Sequence, residues 1–239
     1  MRKIIILSFL FLFFNSNAQI ISDDENEASI SKNNLNESIS EFYIGIAPTY
    51  TYRVLTENEG LFGGEIGDRV NEEGTVISSF TIGFRNSISK TLLLDFGVGI
   101  SRNREIFSID EPDSLFEYTN TYRHISFPAK IAYSTNSDAI NFYGGLGLTP
   151  KAFLSRKKEL RYREPGSTEQ NETFFDRDGF NSMLIDATAS LGLRINDVDY
   201  GAFILLEGAY QLNSNFDNQS PLHRNPFGIG VNFGLHFFI

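Results

Sequence analysis

The chain has 239 residues, and its 20 basic and 30 acidic side chains give a formal net charge of −10. This excess of negative charge disfavours nucleic acid as a partner. Cysteine is absent, which excludes disulfides, thiol catalysis, lipoprotein anchoring and cysteine metal sites. With only three histidines, we also expect no transition-metal site and no cofactor.

The N-terminus predicts a secretory signal peptide over residues 1–18. A basic pair precedes an apolar run from Ile4 to Phe14, and small residues lead to a cleavage site after Ala18. The apolar run is too short for a transmembrane helix, which needs about 20 residues. Residues 19–40 combine acidic side chains with serine and asparagine, so we expect a disordered periplasmic lead-in.

Eight runs that alternate apolar with small or polar residues follow the lead-in. This two-residue period indicates strands with one apolar face. Each run reaches the length of about 9 to 11 residues that a tilted membrane strand needs. The runs cover residues 41–55, 75–88, 90–104, 121–134, 139–153, 182–195, 200–212 and 227–239.

The connections between the runs also alternate. Those after the second, fourth and sixth runs are short, whereas the others are long and polar. This alternation is typical of a transmembrane barrel, with turns in the periplasm and long loops outside; a soluble lipocalin-like barrel or sandwich is the alternative. We therefore predict that residues 41–239 form an all-β, eight-stranded antiparallel transmembrane β-barrel of the OmpA/OmpX size class. We expect it to be a monomer in the cell outer membrane.

Charged residues occupy the face opposite the apolar one, and that face would line the lumen of a membrane barrel. Charges of both signs in a narrow interior should pair, because an unpaired buried charge costs several kcal/mol. An eight-stranded barrel is only wide enough to be filled by side chains, so we predict a plugged lumen without general porin activity. The predicted lumen charge network is Arg53, Arg85, Asp95, Lys130, Asp186, Arg194 and Glu207.

The segment Tyr122–Tyr133, with the run Ile125-Ser126-Phe127-Pro128-Ala129-Lys130, resembles the fourth strand of the PorT-like outer membrane protein beta-barrel domain family. The glycine-rich segment Phe142–Gly147 is similar to the fifth strand of that family, and the resemblance covers residues 41–239. Ser126 departs from it, because a proline often stands at that position. The resemblance implies an outer-membrane barrel and, as an alternative function, a component of a secretion apparatus.

His124 and Ser126 form an His-x-Ser pair on one strand face. Such a pair resembles lipid A deacylase barrels, in which a histidine activates a serine. Strand alternation places both side chains in the lumen with Lys130, away from lipid, and no carboxylate lies at an obvious spacing. We interpret the pair as lumen hydrogen-bonding residues and predict a non-enzymatic structural or surface-interaction protein, with a deacylase-like enzyme as a second alternative.

A basic cluster lies where the fifth run leaves the membrane, and two arginines lie at the same level on the third run. Cations at this height can contact the phosphates of lipopolysaccharide. The alternative is an ordinary solvated loop, because Glu159 and Glu164 interrupt the cluster. The residues are Arg102, Arg104, Arg156, Lys157, Lys158, Arg161 and Arg163.

The eighth run, residues 227–239, should close the barrel against the first run. Its outward Phe227 and Phe237 would lie near the two bilayer interfaces, where aromatic girdles occur. Its aromatic end resembles the signal that the barrel-assembly machinery reads during biogenesis, with Ile239 in the place of the usual aromatic residue. The expected partners are therefore outer-membrane lipid, lipopolysaccharide and, transiently, that machinery.

Overall fold

A computed structural model of the protein describes residues 40–57, 71–135, 139–217 and 220–239. The predicted signal peptide and nearly all of the lead-in lie outside these residues. No helix in the described ranges is long and apolar enough to span a membrane. The described strands are β1 (Ser40–Glu57), β2 (Glu72–Ser87), β3 (Leu92–Glu111), β4 (Ser114–Ser126), β5 (Ala129–Ser134), β6 (Ile140–Arg163), β7 (Gln170–Asp176), β8 (Met183–Asn196), β9 (Tyr200–Gln211) and β10 (Leu222–Phe238).

The strands form a closed antiparallel ring. Each barrel strand pairs with its neighbours in chain order, and β10 closes the ring by pairing with β1 from Glu41↔Phe238 to Glu57↔Leu222. Strands β4 and β5 both lie between β3 and β6, so they act as one barrel strand, while β7 pairs only with β6. The ring therefore has eight barrel strands, which confirms the predicted eight-stranded barrel.

A proline interrupts the fourth barrel strand. Pro128 has no amide hydrogen and cannot donate to the ladder, and Phe127 and Pro128 separate β4 from β5. Its carbonyl still accepts a hydrogen bond from the Gly97 amide at 3.0 Å, and the Phe127 amide donates to the Pro150 carbonyl at 2.8 Å. The strand consequently passes through the break without leaving the sheet.

The outer surface of the ring is apolar. Outward side chains along every barrel strand are large and hydrophobic, and many stay well exposed, including Leu146 at 70% and Ile131 at 59%. On a closed ring without sheet edges, this exposed apolar surface requires a hydrocarbon environment. We call it the lipid-facing belt.

The two ends of the barrel differ. At one end, residues 88–91 join β2 to β3 and residues 197–199 join β8 to β9; short turns of this kind lie in the periplasm. At the other end, Pro112 and Asp113 alone join β3 to β4. The long loops expected after the third and fifth runs are thus largely strand, because the alternation continues in polar and aromatic residues beyond the apolar runs.

Beyond the lipid-facing belt, four strand segments pair side by side. They are residues 105–111 of β3, 114–122 of β4, 155–163 of β6 and the whole of β7. We call this structure the extracellular sheet.

A β-bulge marks the point where β6 enters the extracellular sheet. His124 pairs with Phe153 and Arg123 pairs with Ser155, so Leu154 is an extra residue between them. One extra residue reverses the side to which every later side chain points. After the bulge, Arg156 therefore lies on the interior side of β6 and Lys157 on the outer side.

Two glycines make room for an aromatic ring inside the barrel. A Cβ atom on Gly83 would lie 2.6 Å from Cζ of Tyr43, and one on Gly97 would lie 2.9 Å from the Tyr43 hydroxyl. Both distances are below van der Waals contact, so only glycine allows the ring to lie flat against β2 and β3. This placement brings the Tyr43 hydroxyl to the charged residues of the lumen.

Candidate functional site

The periplasmic half of the lumen is organised around Asp95. Its carboxylate accepts hydrogen bonds from the Tyr43 hydroxyl at 2.8 Å, the Tyr143 hydroxyl at 2.9 Å and Nε of Arg85 at 2.9 Å. The Arg85 guanidinium lies 4.1 Å from the centre of the Tyr43 ring and 4.7 Å from that of Phe203. All of these side chains are buried, so they fill this part of the lumen.

A second carboxylate completes the same layer. Glu41 forms an ion pair with Arg194, and its other oxygen lies 3.8 Å from Nη1 of Arg85. Two guanidinium groups thus face two carboxylates, and the layer has no net charge. We call Glu41, Arg85, Asp95 and Arg194 the inner cluster.

Two further ion pairs cross the middle of the lumen. Lys130 pairs with Glu207, which also accepts a hydrogen bond from Asn232 at 2.8 Å, and Lys151 pairs with Asp186 at 2.7 Å. A cavity of about 130 Å³ lies between these pairs, large enough for several water molecules. Its walls include the hydroxyl side chains of Thr49, Thr81, Ser101, Ser126, Thr149 and Thr188.

The extracellular half of the lumen contains a second layer of charge. Glu105 accepts hydrogen bonds from Nε of Arg53 at 2.9 Å, from Arg224 at 2.7 Å and from the Tyr122 hydroxyl at 3.2 Å. Arg53 also pairs with Glu72, and the Arg224 guanidinium lies 3.9 Å from the centre of the Tyr122 ring. We call Arg53, Glu72, Glu105 and Arg224 the outer cluster.

Aromatic side chains close the extracellular mouth above the outer cluster. Phe180 packs against Phe153 with ring centres 5.0 Å apart, against Phe216 at 5.6 Å and against Tyr122 at 5.9 Å. The side-chain amide of Asn181 donates to the Phe216 carbonyl at 2.7 Å, which joins the segments that follow β7 and β9. This arrangement is the aromatic lid.

The interior ion pairs balance. In the described ranges they comprise six cations and six carboxylates, and each cation contacts at least one carboxylate. All seven residues expected to line the lumen belong to this set. The sequence reasoning missed Glu41, Glu72, Glu105, Lys151 and Arg224.

The missed residues lie at the limits of the predicted runs. Lys151 follows the inward Thr149 by two residues, so the same alternation predicts that it points inward, although Pro150 lies between them. Glu41 is the first residue of the first run, where no preceding apolar residue marks its face. Glu72, Glu105 and Arg224 lie just outside the predicted runs, where no apolar alternation marks the inward face.

His124 and Ser126 both point into the lumen. His124 is fully buried and packs against Phe153, with ring centres 5.6 Å apart, while Ser126 is 5% exposed. Neither ring nitrogen of His124 hydrogen-bonds to a side chain in the described part of the chain. The pair therefore lacks both the serine–histidine hydrogen bond and the orienting carboxylate of a hydrolase triad. No group of metal-binding side chains occurs among the described residues either.

The bulge at Leu154 divides the predicted lipopolysaccharide contacts between two faces. On the interior side, Arg156 binds Asp176 and lies 5.1 Å from the Phe180 ring centre, and the Lys158 amine lies 5.3 Å from that of Tyr118. The other five point outward. They are Arg102, Arg104, Lys157, Arg161 and Arg163.

Two of the outward residues are paired within the extracellular sheet. Lys157 contacts Glu159 at 2.6 Å, and Arg161 contacts Glu169 at 2.7 Å. The hydrogen bond from Arg161 holds the pKa of Glu169 below its usual range.

The closed ring, the lipid-facing belt and the charged, side-chain-filled interior together define a transmembrane β-barrel. Closed barrels of this kind span outer membranes because every backbone group is paired within the ring. The chain is therefore an eight-stranded β-barrel protein of the outer membrane.

Comparison with solved structures gives outer-membrane barrels of low similarity. The chain is 15% identical to the attachment invasion locus protein Ail of Yersinia pestis, with a TM-score of 0.34, covering 84% of this chain and 99% of that one. OprG of Pseudomonas aeruginosa is 10% identical with a TM-score of 0.44, and the match covers 84% of this chain and 96% of OprG. The outer membrane protease OmpT of Escherichia coli is 8% identical with a TM-score of 0.42, and the match covers 86% of this chain and 98% of OmpT.

These values say nothing about function, and the class assigned above rests on the geometry of the barrel itself. No protein-family model matches the chain, and no curated protein matches it significantly. The resemblance to the PorT-like family therefore stays a prediction.

Proposed function

We propose that this protein is a non-enzymatic barrel whose lumen is plugged and whose extracellular sheet takes part in interactions at the cell surface. The observation that carries the proposal is the extracellular sheet itself. Strands β3, β4 and β6 continue past the lipid-facing belt, and β7 adds a further strand to them. Ordered strands extending beyond the membrane are unnecessary for a barrel that only spans it.

Exposed aromatic side chains on this sheet support a role in recognition. Phe116 is 42% exposed, Phe174 46% and Phe175 63%, although none of them lies in the lipid-facing belt. Exposed apolar groups outside the membrane mark interaction surfaces, and aromatic residues contribute strongly to such contacts.

The balanced ion pairs support the plugged lumen. The inner and outer clusters are buried layers in the two halves of the lumen, and the aromatic lid covers the outer one. Between the clusters lie the Lys130–Glu207 and Lys151–Asp186 pairs and the cavity of about 130 Å³. We expect the purified protein to give no conductance steps in planar bilayers and no sugar uptake in liposome-swelling assays. Steady conductance from the folded protein would contradict the plugged lumen.

A photo-crosslinking amino acid at Phe174 tests the surface role on intact cells. The matched control is Phe96, which has the same exposed fraction of 46% but lies in the lipid-facing belt. We expect the Phe174 probe to capture a protein or polysaccharide and the Phe96 probe to capture lipid alone. Lipid adducts alone at both positions would refute the proposal, and capture of secretion components would favour the PorT-like alternative.

The non-enzymatic part of the proposal has its own assay. Because His124 and Ser126 share no hydrogen bond and lie inside the barrel, we expect the folded protein to release no fatty acid from purified lipopolysaccharide. Release that is lost in Ser126→Ala would overturn this part of the proposal.

A further inference from the structure

Two arginines face each other directly on the outside of the barrel. Arg102 of β3 and Arg123 of β4 are register partners, and both are exposed. The next outward pair toward the membrane is Ile100 with Ile125, and Ile100 is 46% exposed in the lipid-facing belt. The arginine pair therefore lies at the extracellular border of the belt.

This pair has no counter-charge among the residues that the structure describes. Among the described residues, no carboxylate lies within ion-pair distance of Arg102 or Arg123, although most other arginines of these ranges are paired. Like charges directly opposite each other on a sheet are destabilising. An anion from outside the protein would remove that repulsion.

The next outward positions add two more cations. Arg104 pairs in register with Thr121, and its Nε donates to the Thr121 hydroxyl at 3.1 Å. Thr121 pairs in turn with Lys157 of β6. Four cations thus share one outward face across β3, β4 and β6, with Glu159 as the carboxylate that contacts one of them.

The rim formed by β1, β9 and β10, on the other side of the ring, is different. Tyr52 of β1 pairs with Phe227 of β10, which pairs with Tyr210 of β9, and all three point outward. This sector carries an uncharged aromatic girdle of the usual kind. On the described strands β1, β9 and β10 this level thus carries aromatic rings in place of cations, so the four cations do not form a general interfacial ring.

We propose that the outward face formed by Arg102, Arg104, Arg123 and Lys157 binds the phosphate groups of a lipopolysaccharide-type glycolipid in the outer leaflet. Guanidinium groups bind phosphate through paired N–H donors, and the adjoining belt residues would contact the acyl chains of the same molecule. The site rests on the proposed function only in that both require the barrel to lie in the outer membrane.

Binding of fluorescent lipopolysaccharide to the folded protein in zwitterionic detergent tests the site. We expect Arg102→Gln/Arg123→Gln to weaken binding roughly 25-fold, because each cation at an anionic membrane surface contributes about a factor of five. Dephosphorylated lipopolysaccharide should bind the wild type at least as weakly as the intact glycolipid binds the double variant, because that variant keeps Arg104 and Lys157. Binding by the double variant within about threefold of wild type would overturn the proposal.

Arg161→Gln is the matched control. It removes one cation from the outward face of β6, about 13 Å farther from the membrane than Lys157 at roughly 3.3 Å per residue. We expect less than a twofold change. A loss of about fivefold, the share of one cation at the site, would assign the binding to general charge and refute the site, and competition by millimolar inorganic phosphate would reassign it to free anions.

The single variant Arg123→Gln keeps the test decisive if the double variant folds poorly. Without glycolipid it should be as heat-resistant as the wild type or more so, because it removes the repulsion from Arg102. With lipopolysaccharide present, the wild type should be the more heat-resistant of the two. A merely structural role for Arg123 predicts the same order in both conditions, and the conductance and crosslinking assays are independent of this outcome.

Discussion

Replacing Asp95 by asparagine removes the central anion of the inner cluster. The amide can still accept a hydrogen bond from Tyr43, but Arg85 and Arg194 are then left with Glu41 as the remaining carboxylate of the layer. Removing one partner of a buried ion pair leaves an uncompensated charge and costs about 3–5 kcal/mol. We therefore expect Asp95→Asn to lower the free energy of unfolding by about that amount.

A double-mutant cycle separates charge balance from packing. In Arg85→Met/Asp95→Asn both charges are gone, and Glu41 with Arg194 forms a neutral pair. The double variant should therefore be more stable than Asp95→Asn, with a coupling energy of about 2–3 kcal/mol.

The assay is urea unfolding of the barrel in phosphatidylcholine vesicles. Because the chain has no tryptophan, far-UV circular dichroism and heat-dependent gel mobility are the suitable signals. Lys157→Gln is the control, since the partly exposed pair with Glu159 should contribute less than about 1 kcal/mol. If Asp95→Asn costs no more than this control, or the two single effects simply add, the lumen is not stabilised by charge balance.

Two further variants test the packing of the lumen and the pH response of the extracellular sheet. Gly83→Ala places a Cβ 2.6 Å from Cζ of Tyr43, and it should lower the free energy of unfolding by about 1–3 kcal/mol in the same urea assay. Gly208→Ala is the control, because its Cβ meets no atom within 4 Å, and it should destabilise the barrel much less. Equal losses of stability would refute this account of Gly83. The pKa of Glu169 is lower in the folded protein than in the unfolded chain. Its pairing with Arg161 therefore stabilises the β6–β7 hairpin fully above the unfolded carboxyl pKa of about 4.3, and this stabilisation is lost as the pH falls through the lower folded pKa. Amide protection of the hairpin should therefore fall below about pH 4 in the wild type, and the same fall in Glu169→Gln would contradict the reasoning.

The eight barrel strands were predictable because lipid selects for apolar residues at every second position. Leu92, Leu94 and Phe96, for example, mark the outward face of β3 and fix Asp95 as inward before any partner strand is known. The interior charges within such runs could be found by the same alternation.

The extracellular sheet was not predictable in this way. Beyond the membrane both faces of a strand meet water or protein, so alternation no longer separates them, and Glu105 and Arg224 are ambiguous for that reason. The bulge at Leu154 leaves no local signal in the sequence, because it is defined by the pairing of Arg123 and His124 with β6. Without it, Arg156 and Lys157 cannot be assigned to faces.

That bulge also makes the two faces of the outer half of β6 depend on pairing rather than on composition. If Leu154 paired with Arg123 in a regular ladder, Arg156 and Lys158 would point outward and Lys157 would turn toward the barrel mouth, with no residue changed. Deleting Leu154 would instead remove the extra residue and leave every later side chain on its present side. The bulge thus lets β6 carry one residue more than its partner strand, and it decides which face of the β6–β7 hairpin the cell surface displays.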